Sequence, residues 1–228
     1  MKKFMSGWNV FESIWLIVFC AVAVWITITS GDNIFGFFVF LSGILCVVLV
    51  AKGSILNYPV GLFNTIGYAW IAWQNGLYGE VAENLLFYLP MMVVGFFMWR
   101  KHIDDGIVVM RKLSNKAIIR LSVVCVAAIA VTGIVLSMIE GQNTPYIDAA
   151  TNVLAVVATI LMIRRYREQW VAYIIINVLS VTMWIIRMGN GSPDGALMTV
   201  MWSAYLVNSI YGLYNWTKGL KNNDGGLK

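Results

Sequence analysis

Between its clusters of charge the chain runs in apolar stretches of roughly 17–23 residues, each long enough to cross the hydrocarbon core of a bilayer as an α-helix. No other feature restricts the fold as much. A backbone surrounded by lipid must satisfy its own hydrogen bonds, so a run of this kind is read as a helix. Composition agrees: 60% of the residues are hydrophobic and 12% charged, against about 25% charged in ordinary soluble domains. The expected class is an all-α, polytopic membrane protein with no separate soluble domain.

Eight spans follow, at about Val10–Thr29, Ile34–Ala51, Tyr58–Gln74, Glu80–Trp99, Ala117–Ile139, Tyr146–Ile163, Gln169–Ile186 and Ala196–Thr217. Turns are expected at Ser30–Asn33, Gly76–Gly79 and Glu140–Pro145, and in the run GNGSPDGA at 189–196. Pro59 suits the first turn of the third span. Pro90 should kink the fourth, because its ring removes a backbone hydrogen bond. The opening run, with Lys2 and Lys3 ahead of it and a cleavage-like Ala21–Ala23, imitates a signal peptide. It continues through Trp25 and Ile28, however, a length that suits a spanning helix.

The distribution of charge tests the helix count. Alternate loops would face one side, and that side would hold Lys2, Lys3, Lys52, Arg100, Lys101, Arg111, Lys112, Lys116, Arg120, Arg164, Arg165, Arg167, Lys218, Lys221 and Lys228. The other side would hold Arg187 alone. Such a bias places both termini in the cytoplasm. It also explains the net charge of +5 without a nucleic-acid partner.

The chain repeats itself weakly. Trp170–Trp216 echoes Asn57–Trp99. At a shift of 113, Asn64 falls on Asn177 and Lys52 on Arg165; at 117, Tyr88 falls on Tyr205, Gly95 on Gly212 and Trp99 on Trp216. Internal repeats of this kind mark transporters whose site lies where the repeats meet. The expected architecture is an extra N-terminal helix (1–33), a three-helix repeat (34–99), a loop and linker helix (100–145), a second three-helix repeat (146–217) and a disordered tail (218–228). The linker helix restores the orientation reversed by three spans, so the repeats are parallel copies.

Candidate site residues come from depth and chemistry. Asn64 and Asn177 lie near mid-membrane, where an amide facing lipid is costly; they serve either as interhelical bonds or as ligands for a solute. Trp70, Trp73, Tyr88, Trp184 and Tyr205 are aromatic groups set deeper than an interfacial belt, whereas Trp99, Trp170 and Trp216 at span ends read as interfacial anchors. Gln74, Glu83, Asn84 and Asn208 complete the set. Glu83 is placed to attract a cation, while Glu80 and Asp148 complement helix dipoles. No carboxylate stands at the middle of a span, which argues for a passive carrier over a proton-coupled one. Cys20, Cys46 and Cys125 read as small buried hydrophobes. A single histidine, His102, offers no metal cluster. Motifs of hydrolases, zinc proteases and phosphate-binding loops are absent from the sequence, so no enzyme and no cofactor is expected. A structural or signalling membrane protein, its amides used only for packing, is the other reading of these residues.

Asn57-Tyr58 with Gly61, Asn64, Gln74 and Leu77-Tyr78 resembles the first-repeat pattern of the PnuC nicotinamide riboside transporters. Asp148, the run ILMIRRYREQW through Trp170, and IINVLSV with Asn177 and Ser180 resemble that family's second repeat. The resemblance covers roughly Ser42 to Trp216; the long glycine-rich GNGSPDGA turn departs from it and loosens the matching of the last span. The resemblance implies a fold similar to full-length SWEET transporters, assembled as a homotrimer in the bacterial inner membrane. It implies facilitated diffusion of nicotinamide riboside, trapped by a cytoplasmic kinase; related branches carry thiamine or riboflavin. Such a substrate would lie between the third and seventh spans. Its pyridinium would rest on aromatic faces, worth roughly 0.5–2 kcal/mol each when desolvated, and its carboxamide and hydroxyls near Gln74, Asn64 and Asn177.

Overall fold

The computed structural model describes residues 8–30, 34–74, 78–104, 106–139, 144–189 and 195–225. The turns expected at 31–33, 76–77, 140–143 and 190–194 lie outside them. Helices dominate: α1 (Val10–Ser30), α2 (Ile34–Lys52), α3 (Asn57–Gln74), α4 (Tyr78–Ala82), a π-helical turn (Glu83–Tyr88), α5 (Leu89–Arg100), α6 (Asn115–Ser137), α7 (Pro145–Ile163), α8 (Gln169–Gly189) and α9 (Gly195–Gly225). A short antiparallel hairpin pairs β1 (Ile103–Asp104) with β2 (Ile107–Val108). Among the described residues five segments are long and apolar enough to cross a membrane: Ile34–Lys52, Glu80–Arg100, Asn115–Ser137, Pro145–Ile163 and Gln169–Ile186. The chain folds as two compact units, Met1–Lys101 and His102–Lys228.

In the first unit α1 opens with a reciprocal capping box. The Asn9 side chain accepts from the Glu12 amide (2.8 Å), and the Glu12 carboxylate accepts from the Asn9 amide (3.0 Å). The same carboxylate, 2% exposed, receives Lys52 Nζ from the end of α2 at 2.6 Å, and Lys52 also lies over the Trp8 ring. The extra N-terminal helix is therefore fastened by a largely desolvated ion pair. Glu12→Gln keeps the side-chain length but removes the charge; a loss of about 1–2 kcal/mol is expected, read as a lower thermal midpoint of the purified protein, with Glu12→Asp in between.

The α2–α3 turn has a definite chemistry. Gly53 adopts φ 70°, which frees its amide to bond Val50 O while Ser54 N reaches Leu49 O, the double closure of a Schellman end. Asn57 N and Tyr58 N then bond Ser54 O and Ile55 O to start α3. In the second unit every one of these bonds recurs 112 residues later, joining α7 to α8, with Arg165 at φ 64° where Gly53 stood. A left-handed conformation costs a non-glycine residue about 1–2 kcal/mol.

Each turn delivers a large aromatic ring onto a glycine. Tyr58 lies where a Cβ on Gly95 of α5 would sit, and its ring centroid is 5.2 Å from that of Trp99. Trp170 lies where a Cβ on Gly212 of α9 would sit, 6.2 Å from Trp216. Trp99 and Trp216 have no exposed surface and Trp170 almost none. The anchor reading of these three tryptophans is thus corrected: they are core residues, because Gly95 and Gly212 admit the Tyr58 and Trp170 rings, and those rings pack against Trp99 and Trp216.

The fourth span is not one regular helix. Pro90 has no N–H, and its ring would meet the carbonyl of the residue four before it. The backbone widens just ahead of it, with Leu89 N bonding Asn84 O, five residues back. The expected distortion is present and takes the form of a π-helical turn.

The second unit begins with the hairpin, whose exit, Val109–Leu113, lies along the α7–α8 turn. Arg111 forms a parallel bridge there, donating its amide to Arg165 O (2.8 Å) and accepting from Arg167 N (2.9 Å). The α6 helix is capped by the Ser114 hydroxyl and packs on α7, where Gly133 makes room for the Tyr146 ring. The tail differs from expectation: α9 continues to Gly225, and within it Gly219 packs against Met110 of the hairpin's exit, where a Cβ would meet its sulfur at 2.6 Å.

Candidate functional site

Asn64 and Asn177 both form interhelical bonds, but to different neighbours. Asn64 Nδ2 donates from α3 to Val39 O (2.8 Å) and Ser42 Oγ (3.3 Å) on α2. Asn177, buried on α8, donates to Ser209 Oγ on α9 (2.8 Å), and the Ser209 hydroxyl donates in turn to Tyr205 O. The turn hydrogen bonds explain the divergence. At the shift of 112 that they set, Asn177 matches the buried Thr65, and Asn64 matches Ile176. One residue on an α-helix is a rotation of about 100°, enough to carry a side chain from one neighbouring helix to another. The exposed positions agree with this register, Phe63 and Ile66 matching Ile175 and Val178.

On α3, Trp70 and Trp73 lie with Phe63 and Ile66 on one outward stripe and are 55% and 56% exposed. Trp73 has its ring edge against Tyr78, centroids 5.3 Å apart. Gln74 is also exposed. Glu83, Asn84 and Tyr88 all fall in the π-helical turn. Asn84 is buried and donates to Glu80 O (2.8 Å). Tyr88 hydrogen-bonds the Glu83 side chain five residues before it, a spacing that the wider turn brings onto one face. Glu80 accepts from the Tyr68 hydroxyl (3.4 Å).

In the second unit the structure gathers Asn177, Ser180, Tyr205, Asn208 and Ser209 along α8 and α9, with Ser180, Asn177, Asn208 and Ser209 all buried. Trp184 is half-buried on α8. Trp202 lies 5.8 Å from Tyr205, centroid to centroid. Asn208 Oδ1 and Trp202 Nε1 are buried and have no hydrogen-bond partner. Buried polar atoms are seldom left so, and an acceptor and a donor on one helix offer bonds to a polar solute. Sequence reasoning passed over Ser42 and Ser209, which take up the two amides, and noted Trp202 at the height of Trp184 without placing it in the candidate set. The available signal was the pairing of small hydroxyl residues with asparagines at span depth.

Residues 33–218 match the family described as nicotinamide mononucleotide transporter. The chain is 36% identical over 98% of its length to the nicotinamide riboside transporter PnuC of Neisseria mucosa, covering 87% of that protein. It is 38% identical over 96% of its length to the PnuC of Haemophilus influenzae, covering 95% of it. The crystal structure of a vitamin B3 transporter PnuC superposes with a TM-score of 0.74 at 36% identity, over 96% of this chain and 95% of that one. With that sequence match over nearly its whole length and the helical fold to go with it, the chain belongs to the nicotinamide mononucleotide transporter family.

Proposed function

We propose that the protein carries nicotinamide riboside across the bacterial inner membrane by facilitated diffusion. The observation that carries this reading is its near full-length likeness to transporters named for that substrate. The polar seam of α8 and α9 supports it, since a riboside needs donors and acceptors that a lipid-facing helix pair has no reason to bury. Eight spans in two three-helix repeats, both termini in the cytoplasm and a homotrimeric assembly complete the proposal. The recurrence of the turn hydrogen bonds and of the aromatic-on-glycine contact favours the repeats.

Inward flux is proposed to be pulled by a cytoplasmic kinase that phosphorylates the product. Among the described residues the cations lie in connections or in the outer turns of helices rather than near the middle of a span, so a phosphate dianion finds no counter-charge there on the way back. The ligand set proposed is Asn64, Trp70, Trp73, Gln74, Glu83, Asn84, Tyr88, Asn177, Trp184, Tyr205 and Asn208.

The test is uptake of labelled nicotinamide riboside into proteoliposomes holding the purified protein and no ion gradient. Saturable entry to equal concentration on both sides is expected. Thiamine and riboflavin, added in excess, should compete weakly. Accumulation driven by a proton or sodium gradient, or uptake no faster than in empty vesicles, would overturn the proposal.

A further inference from the structure

The junction between the hairpin's exit, Val109–Leu113, and the α7–α8 turn concentrates positive charge that the described residues do not fully neutralise. Arg111, Arg165 and Arg167 are held side by side by the backbone bridge. Among the described residues one carboxylate pairs with them, Glu168, which accepts from Arg167 Nη2 (3.2 Å) and from Leu113 N (3.1 Å). Arg165 is only 6% exposed. Its Nη1 donates to a neutral acceptor, Val109 O, at 3.0 Å, and its Nε has no partner. The Nε of Arg167 is likewise buried and unpartnered. Arg111 lies over the Tyr166 ring, which leaves its guanidinium edge free of any carboxylate among the described residues.

A buried guanidinium without a counter-ion is unfavourable, and the sister turn shows that the fold does not require one. There the same left-handed position is Gly53. Burial, and the like charge of Arg111, hold the Arg165 guanidinium below its ordinary value. The cluster lies at the ends of α7 and α8, two apolar segments of membrane-spanning length, and so at headgroup level. Guanidinium groups suit phosphate because their N–H groups match two of its oxygens at once.

We infer that this junction binds a phosphate-bearing anion, held by Arg111, Arg165 and Arg167. The inference goes beyond the transport reading and does not depend on what the protein carries. Two sources share the chemistry: an anionic phospholipid headgroup and a free phosphate ester.

The test is thermal unfolding of the purified full-length protein against inorganic phosphate, and separately against dioctanoyl-phosphatidylglycerol, with chloride at matched ionic strength and dioctanoyl-phosphatidylcholine as controls. A saturable rise in midpoint with either probe, absent from its control, is expected. Phosphate alone points to a free ester; phosphatidylglycerol alone or more strongly points to lipid. Arg165→Gly keeps the left-handed backbone without strain, and Arg111→Gln leaves both backbone bonds of the bridge intact. Each should weaken the probe at least about tenfold, or 1.4 kcal/mol, while the anion-free midpoint of Arg165→Gly stays at or above wild type. No rise beyond the controls, or an equal rise in Arg165→Gly, would overturn the site.

Discussion

Replacing Gly212 by alanine is expected to lower the stability of the protein by about 3 kcal/mol, the upper end of what overpacking costs. The new Cβ would stand 2.6 Å from the fused-ring atoms of Trp170. That ring cannot yield, because it is buried and backed by Trp216. Gly95→Ala should behave in the same way, since its Cβ would enter the ring of Tyr58, which is backed by Trp99. Gly189→Ala is the control, with nothing within reach of its Cβ, and should change the midpoint little. Trp170→Phe combined with Gly212→Ala should cost less than the two changes separately, because the smaller ring vacates the contested space; coupling of this sort is what a double-mutant cycle measures. Additive losses would mean that the glycine serves something other than this contact.

Helix positions were legible because the signals that set them are local. Charge clusters end the apolar runs, Pro59 and Pro145 sit in first turns, and Ser114 caps α6. The environment of each side chain was less legible, because it depends on which face a helix turns to its neighbour. A shift of 113 aligned two asparagines and was persuasive on identity alone. The turn hydrogen bonds fix 112, and the rotation that follows sends Asn64 to α2 and Asn177 to α9. The tryptophans at span ends show the same limit. Nothing local separates an interfacial anchor from a ring seated on a glycine far along the chain, yet Gly95 and Gly212 at equivalent positions were a usable clue. The π-helical turn was foreshadowed by Pro90, whose effect on backbone bonding is certain although its form is not. The Glu12–Lys52 pair was missed because it joins residues 40 apart in sequence.

Asn208→Ala is expected to raise the Kd for nicotinamide riboside about tenfold, the loss of one well-made hydrogen bond of roughly 1.4 kcal/mol, with little change in thermal midpoint. The two effects separate because the Asn208 carbonyl oxygen is buried but bonded to nothing within the protein. Removing it breaks no internal hydrogen bond, and a ligand that uses it loses a partner. Asn177→Ala should lower stability as well as affinity. Its Nδ2 joins α8 to α9 through Ser209, so its loss should appear in stability, by about 0.6 kcal/mol as is usual for such bonds in membrane proteins. Trp202→Phe offers a second view of the same seam, since it keeps an aromatic ring and deletes the unpartnered indole N–H together with the five-membered ring that carries it. It should weaken binding in the same direction as Asn208→Ala and leave folding intact. Calorimetry on the three purified variants, each checked for a cooperative thermal transition, decides the matter. If Asn208→Ala and Trp202→Phe bind the riboside as wild type does, the α8–α9 seam is not where the solute is held.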